Sequence, residues 1–188
     1  MKLKKIISVV AIVTLTSVGF AAETTKSLLP VFGPDGAEIS TNAKDGNKLT
    51  GWLPSQWVDN SEWAAVSATY SKLTDPPKKD VTAIRVNITK MDDGQLQFTS
   101  WTTPTFKKGV KYVVEGWIRG KDANIKVGIR QTGDPYEFFA EQTLDGKAEW
   151  KPFTFEFTFT EDKVAFVMFV KTETGTVDLA GIVVREKK

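Results

Sequence analysis

The sequence predicts an all-β protein, a β-sandwich of the jelly-roll type with roughly ten antiparallel strands. Apolar and polar side chains alternate in segment after segment, which is typical of strands with one buried face. Gly, Pro and Asp separate these segments at short intervals, and no stretch after the first 22 residues has sustained helical periodicity. The number of strands and the long connections favour a jelly roll over an immunoglobulin sandwich, which is shorter.

Residues 1–22 are expected to be a secretory signal peptide that precedes a single domain over residues 23–188. Three lysines lie within the first five residues, and an apolar run follows from Ile6 to Val18. Small residues at Ala21 and Ala22 offer a cleavage site, and the apolar run is too short for a spanning helix. We therefore expect a secreted or periplasmic protein without membrane insertion.

The composition excludes several classes of function. The formal charge of +2 falls to −1 when the three leader lysines are removed, and no basic cluster predicts nucleic-acid binding. Histidine and cysteine are absent, which rules out Ser-His-Asp and Cys-His catalysis and the usual zinc sites. An enzyme would have to use carboxylates or a Ser-Lys pair, and we expect none.

The strand pattern recurs along most of the chain after the leader. Residues 39–58 are interpreted as a loop, because Gly, Asn and Asp punctuate them and no alternation is visible. Segments with a strand pattern are 28–32, 63–70, 81–89, 95–101, 111–119, 124–131, 136–144, 151–160, 164–170 and 176–185.

Two of these segments show clearly which face is buried. In residues 111–119, Tyr112, Val114 and Ile118 share one face, and Glu115 and Trp117 lie on the other. The segment 151–160 places four phenylalanines on one face, which predicts a core ladder of Phe153, Phe155, Phe157 and Phe159.

Two sets of side chains are candidates for a binding site. Tryptophans can stack on the apolar faces of sugar rings, and the candidates are Trp57, Trp63, Trp101 and Trp117. Amide, carboxylate and guanidinium groups can bond neighbouring hydroxyls, and the polar candidates are Gln95, Gln97, Glu115, Arg119 and Arg130. The alternatives are that some tryptophans are core, Trp52 and Trp150 first, and that the polar face is simply solvated.

Carboxylates form a third set with a different chemistry. A glycosidase needs two acids at a defined separation, and Glu115, Glu137 and Glu141 could in principle approach one another. Acids are common on any protein surface, so this pattern alone is weak support for catalysis.

The order of several segments resembles carbohydrate-binding modules of the family 4, 9, 16 and 22 type. The segments include Gln95-Leu96-Gln97-Phe98, Lys111 to Arg119, Val127-Gly128-Ile129-Arg130 and Glu149-Trp150-Lys151-Pro152-Phe153. The resemblance implies a β-jelly roll that binds polysaccharide on a concave sheet face or a loop-end groove. It also implies that Gln95, Gln97, Glu115 and Trp117 face this groove, with Arg130 on the following strand.

The resemblance fails at the position of a structural calcium ion. Members of the family often hold Ca²⁺ between an acidic opening segment and a paired Asp before the last strand. Here the corresponding residues are Val31-Phe32-Gly33-Pro34 and Leu179-Ala180-Gly181-Ile182, so the acidic ligands are missing. We expect no cofactor and name no metal ligands, and the presence of a structural calcium ion stays open.

The sequence therefore favours a secreted, non-catalytic protein that binds a poly- or oligosaccharide through Trp57, Trp101 and Trp117 and the polar face. We expect a monomer, and the sugar and its linkage stay open. The alternatives are an envelope structural or adhesion protein that uses the sandwich to bind a protein, and a small glycan-cleaving enzyme.

Overall fold

The computed structural model describes residues 26–121 and 123–188, and the expected leader lies outside them. Almost all regular structure here is β-strand, and no helix in either described range is long and apolar enough to cross a membrane. The strands are β1 (Gly36–Asn42), β2 (Lys48–Pro54), β3 (Trp57–Asp59), β4 (Ala65–Lys72), β5 (Ala83–Asp93), β6 (Leu96–Ser100), β7 (Thr105–Phe106), β8 (Lys111–Arg119), β9 (Asn124–Gln131), β10 (Phe138–Asp145), β11 (Lys151–Thr158), β12 (Lys163–Lys171) and β13 (Gly175–Glu186).

These strands form two sheets. The first sheet has the order β1-β2-β4-β5-β13-β8-β11, and the second has the order β10-β9-β12-β6-β3, with β7 also paired to β12. Neighbouring strands are antiparallel except β2 and β4, which are parallel. The prediction of an all-β sandwich is confirmed, and the chain crosses between the sheets several times.

Nine of the ten predicted strands are present, and the first is not. Residues 28–32 form no strand, although Leu29 and Phe32 are buried in the core. The segment follows the neighbouring sheet through a hydrogen bond in which the Leu28 N–H donates to the Val184 carbonyl, at 2.7 Å. The predicted strand is therefore absent, although the segment contributes to the core.

The interpretation of residues 39–58 as a loop is wrong, because this region contains β1, β2 and β3. β1 is an edge strand without a fully buried side chain, and Ile39 is its one large apolar residue against the core, so its alternation is weak. Gly51 in β2 has a φ of 106°, and a Cβ there would lie 1.9 Å from the Tyr70 carbonyl oxygen. The glycine marks a close approach of two backbones inside a sheet, not a turn.

The core lies between the two sheets and confirms the phenylalanine ladder. All four ladder residues are buried, and the Phe157 ring lies 5.4 Å from the rings of both Phe155 and Phe159. From the second sheet, β9 contributes Ile125, Val127 and Ile129 to the same core. The alternate side chains of β9 therefore lie on the outer face of the second sheet.

Candidate functional site

The predicted site residues divide between the two sheets. Gln97 lies on β6 and Arg130 on β9, and both strands flank β12 in the second sheet. Glu115 and Trp117 lie on β8, which pairs with β11 and β13 in the first sheet. The expectation that these four residues share one face is wrong, because alternation shows which way a side chain points but not which sheet its strand joins.

The remaining predicted residues lie at the ends of β3 and β6. Gln95 is half-buried directly before β6, and Trp101 follows the strand with 71% of its surface exposed. Trp57 is only 3% exposed, because β3 pairs with β6 and turns the indole into the core. Its ring stacks on Phe98 with the centroids 5.2 Å apart. Trp57 is thus a core residue, contrary to its prediction as an exposed stacking ring.

Glu115 and Trp117 are already engaged on the outer face of the first sheet. The Arg185 guanidinium donates two hydrogen bonds to the Glu115 carboxylate, each of 3.0 Å. Lys78 Nζ lies 5.0 Å from the centre of the Trp117 ring, and a Cβ on Gly181 would lie 2.9 Å from that ring. Both side chains pack against their own neighbours, which indicates a structural role.

An ion-pair network extends this structural face. Asp178, 2% exposed, accepts hydrogen bonds from Arg85 Nε and Arg119 Nε, both at 2.8 Å. Arg119 also pairs with Asp75 at 2.6 Å and lies 4.5 Å from the centre of the Trp150 ring. The Arg119 guanidinium is therefore paired within the protein. The prediction that Arg119 bonds the hydroxyl groups of a ligand is not supported by these contacts.

Arg130 has the opposite environment on the outer face of the second sheet. It is 9% exposed, yet its guanidinium makes no hydrogen bond or ion pair with any residue in the described ranges. Burial lowers the pKa of the Arg130 guanidinium below its usual value. Its one close partner is the Tyr136 ring, whose centre lies 4.7 Å from the Arg130 Cζ atom. None of its nitrogen atoms is fully buried, so the five donors have no acceptor in the described chain but stay within reach of water or a ligand.

Tyr136 is the functional candidate that the sequence reasoning missed. It is 51% exposed and has a φ of 61°, a left-handed backbone that side chains other than glycine rarely adopt. Such outliers persist where the surroundings hold them and are frequent at binding sites. The signal in the sequence is an aromatic residue directly after the turn Gly133-Asp134-Pro135, a position at which the strand pattern predicts only the beginning of a strand.

Aromatic and cationic side chains continue along this face beside Arg130. Phe138 packs over Gly128, where a Cβ would lie 2.4 Å from the ring. Lys126 Nζ lies 5.4 Å from the centre of the Phe138 ring and 3.0 Å from the Glu141 carboxylate. Phe166 on β12 is directly opposite Arg130 in the register.

Gln97 lies on the same face, two strands away from β9. Its Oε1 accepts a hydrogen bond of 2.8 Å from Asn60 Nδ2, and its own backbone N–H donates to Ser61 Oγ at 2.7 Å. The residue is 2% exposed, so these bonds fix its amide in one orientation. With the oxygen occupied by Asn60, the Nε2 donors of Gln97 have no partner in the described chain.

A cavity of about 480 Å³ adjoins this face at one edge of the sandwich. The exposed Trp63 and Trp101 and the buried Trp57 contribute aromatic surface to it, and Asp59 and Glu62 contribute carboxyl groups. The remaining lining residues are Ile39, Thr41, Leu49, Leu53, Val58 and Asn60. Trp63, one of the aromatic candidates, thus joins Trp57 and Trp101 around one cavity, whereas Trp117 does not.

The three glutamates considered for catalysis do not converge. Glu115 lies on the outer face of the first sheet, and Glu141 lies on β10 in the second sheet, paired with Lys126. Two sheets packed face to face are about 10 Å apart, so acids on their outer faces cannot share one bond of a substrate. Glu137 is exposed directly before β10, and within the described ranges no group of three acids could hold a metal.

The two-sheet topology defines the protein as a β-sandwich of the jelly-roll class. The sequence profile of the CBM 4/9 family, a carbohydrate binding domain, matches residues 81–176, just over half of the chain. The chain belongs to this family, and the resemblance inferred from the sequence is confirmed. A search of curated protein sequences gives no match.

Solved structures agree on the fold. A CBM4 structure is 18% identical to this chain, with a TM-score of 0.54. The match covers 78% of this chain and 92% of the CBM4 chain. The family 11 carbohydrate-binding module of the cellulase Lic26A-Cel5E from Clostridium thermocellum is 13% identical, with a TM-score of 0.51. The match covers 81% of this chain and 96% of that module. The enzymatically active domain of tailspike protein 4 from bacteriophage CBA120 is 12% identical, with a TM-score of 0.54. The match covers 71% of this chain and 20% of the tailspike chain.

The family match divides the candidate residues into two groups. Gln97, Arg130 and Tyr136 lie inside the matched range, on or beside strands of the second sheet. Trp57 and Trp63 precede it, so most of the edge cavity is built by a part of the chain outside the match.

Proposed function

We propose that the protein is an exported, non-catalytic carbohydrate-binding protein. In this proposal a poly- or oligosaccharide lies across the outer face of the second sheet. Its sugar rings stack on Tyr136 and Trp101, and Arg130 and Gln97 donate hydrogen bonds to its oxygen atoms. Membership of a carbohydrate-binding family supports the ligand class, and the leader-like first 22 residues support export.

The observation that carries the proposal is the unpaired guanidinium of Arg130. Partial burial of a charge is costly, and an acceptor within the protein normally offsets this cost. No described residue supplies one for Arg130, although Arg85, Arg119 and Arg185 each have a carboxylate. A ligand with neighbouring oxygen atoms would complete the site, since the planar guanidinium can bond two of them at once.

Exposed aromatic rings provide the complementary apolar contact. Tyr136 is 51% exposed and Trp101 is 71% exposed, and sugar rings present C–H faces that pack on such rings. β9 and β6 are separated only by β12, so Arg130 and the end of β6 lie roughly 10 Å apart. A chain of several sugar units could therefore contact both ends, which favours a polymer over a single sugar.

The separation of Glu115 from Glu141 supports a non-catalytic role. Glu115 and Glu141 lie on opposite outer faces of the sandwich, and Glu115 is held by Arg185. These two glutamates therefore cannot act as the paired carboxyl groups that glycoside hydrolysis needs.

The test is retention of the purified protein on a panel of neutral and acidic polysaccharides, followed by calorimetry on the best ligand. Arg130→Gln and Tyr136→Ala should each weaken binding about tenfold or more, because both remove contacts at the centre of the site. The matched controls are Arg185→Gln and Trp117→Phe on the opposite face, and both should bind as the unmodified protein does.

Two outcomes would contradict the proposal. One is a bound glycan whose affinity is the same in Arg130→Gln and Arg185→Gln. The other is a folded protein that no polysaccharide retains, which would favour the adhesive role of the sandwich instead.

A further inference from the structure

The edge cavity has an aromatic and acidic lining that differs in charge from the Arg130 face. Three of the six tryptophans contribute to its wall, together with the carboxyl groups of Asp59 and Glu62. No lysine or arginine is among its lining residues. Indole faces carry negative potential, so rings and carboxylates both favour a positively charged ligand.

Neither Asp59 nor Glu62 forms a salt bridge with a residue of the described ranges. Lys44 approaches Glu62 through its backbone, where the Lys44 N–H donates to the Glu62 carbonyl at 3.1 Å. The Lys44 ammonium is turned to Asp93, 2.7 Å away.

Asp59 is fixed on the cavity wall by hydrogen bonds instead of an ion pair. Its Oδ1 accepts the Ser61 N–H at 2.6 Å, and its Oδ2 accepts the hydroxyl of the buried Tyr70. Burial raises the pKa of the Asp59 carboxyl, and the bonds from Tyr70 and Ser61 act in the opposite direction. The cavity thus has one rigid carboxyl group and one exposed carboxylate, at Glu62.

Trp57 adds a polar atom that nothing in the described chain satisfies. The indole is 3% exposed and lines the cavity, and its Nε1 is buried without a hydrogen-bond partner. Buried donors in native proteins are nearly always paired, and an exception needs an explanation. By contrast, Trp63 Nε1 donates to the Asn60 carbonyl at 2.9 Å, which holds that ring at the opening.

We propose that the edge cavity is a second saccharide pocket, which takes an amine-bearing sugar unit and rejects an anionic one. The ammonium would lie beside Glu62 and the Trp63 face, and the sugar ring would pack between Trp63 and Trp101. The volume of about 480 Å³ is that of a small-molecule site. This pocket shares Trp101 with the proposed outer-face site but uses neither Arg130 nor Tyr136, so its binding can be measured in a variant whose outer face is weakened.

The experiment isolates the pocket in a Tyr136→Ala background, in which the outer face is weakened. Three probes of equal length are titrated at about pH 6, where an amine is protonated. They are a glucosamine trisaccharide, its N-acetylated form and a trigalacturonate. The readouts are tryptophan fluorescence, to which the three cavity indoles contribute, and calorimetry.

The glucosamine trisaccharide should bind about fivefold more tightly than the N-acetylated form, since an exposed charge contact contributes up to about 1 kcal/mol. Glu62→Gln should remove this preference, and Trp63→Ala should weaken binding of both sugars about tenfold. Glu38→Gln, an exposed glutamate on β1 outside the cavity lining, is the matched control and should change nothing.

Three outcomes would overturn the proposal. They are an unchanged preference in Glu62→Gln, unchanged binding in folded Trp63→Ala, and trigalacturonate binding as tight as that of glucosamine. Failure of the outer-face site would appear separately, as wild-type affinity for polysaccharide in Arg130→Gln.

Discussion

Arg119 and Arg130 show how one residue type takes opposite roles on the two outer faces. Arg119 lies between Asp178 and Asp75 and covers Trp150, so its charge is satisfied within the fold. Arg130 is buried against Tyr136 and has no carboxylate partner in the described chain. We interpret the first as a contribution to stability and the second as a cost that binding offsets.

This contrast predicts opposite changes in the free energy of unfolding. Arg119→Gln should lower it by about 2 kcal/mol, because the buried Asp178 loses a charged hydrogen bond. Arg130→Gln should raise it by about 1 kcal/mol in the absence of ligand, because a partly desolvated charge without a protein acceptor is removed. Chemical denaturation of the two variants measures both changes. Loss of stability in Arg130→Gln similar to that in Arg119→Gln would show that Arg130 has a structural role.

At the scale of the element, alternation located most strands but failed for residues 39–58. β1 lies at the edge of its sheet, and none of its side chains is fully buried. Ile39 is its one large apolar residue against the core, so the alternation in β1 is weak. The predicted loop includes Gly51, whereas in the structure this glycine allows the β2 and β4 backbones to pair at Tyr70. Glycine at a close backbone approach cannot be distinguished from glycine in a turn by sequence alone.

Gly51→Ala should therefore lower the free energy of unfolding by about 3 kcal/mol or more, because its Cβ would collide with the Tyr70 carbonyl oxygen. Gly46→Ala is the matched control. Gly46 also has a positive φ, of 74°, but a Cβ there would meet no atom within 4 Å, so its cost should be about 1 kcal/mol. Thermal unfolding of both variants provides the comparison, and equal losses would contradict a steric cause.

At the scale of the whole molecule, sequence reasoning could predict the sandwich and its family but not which strands share a sheet. Pairing between distant strands depends on the full topology, as when β13 inserts between β5 and β8. This topology places Glu115 and Trp117 in the first sheet and Gln97 and Arg130 in the second. The residue types of a sugar site were recognised, but Tyr136 was missed because its role depends on a strained turn beside Arg130.

The central claim is that glycan binds on the outer face of the second sheet. The most direct measurement is a backbone NMR titration of the isotope-labelled protein with the polysaccharide fragment that the panel identifies. We expect the largest shift changes in β6, β9 and the turn before β10, around Gln97, Arg130 and Tyr136. Changes confined to β8, β11 and β13 around Glu115 and Trp117 would contradict the account, because they would place the ligand on the opposite face.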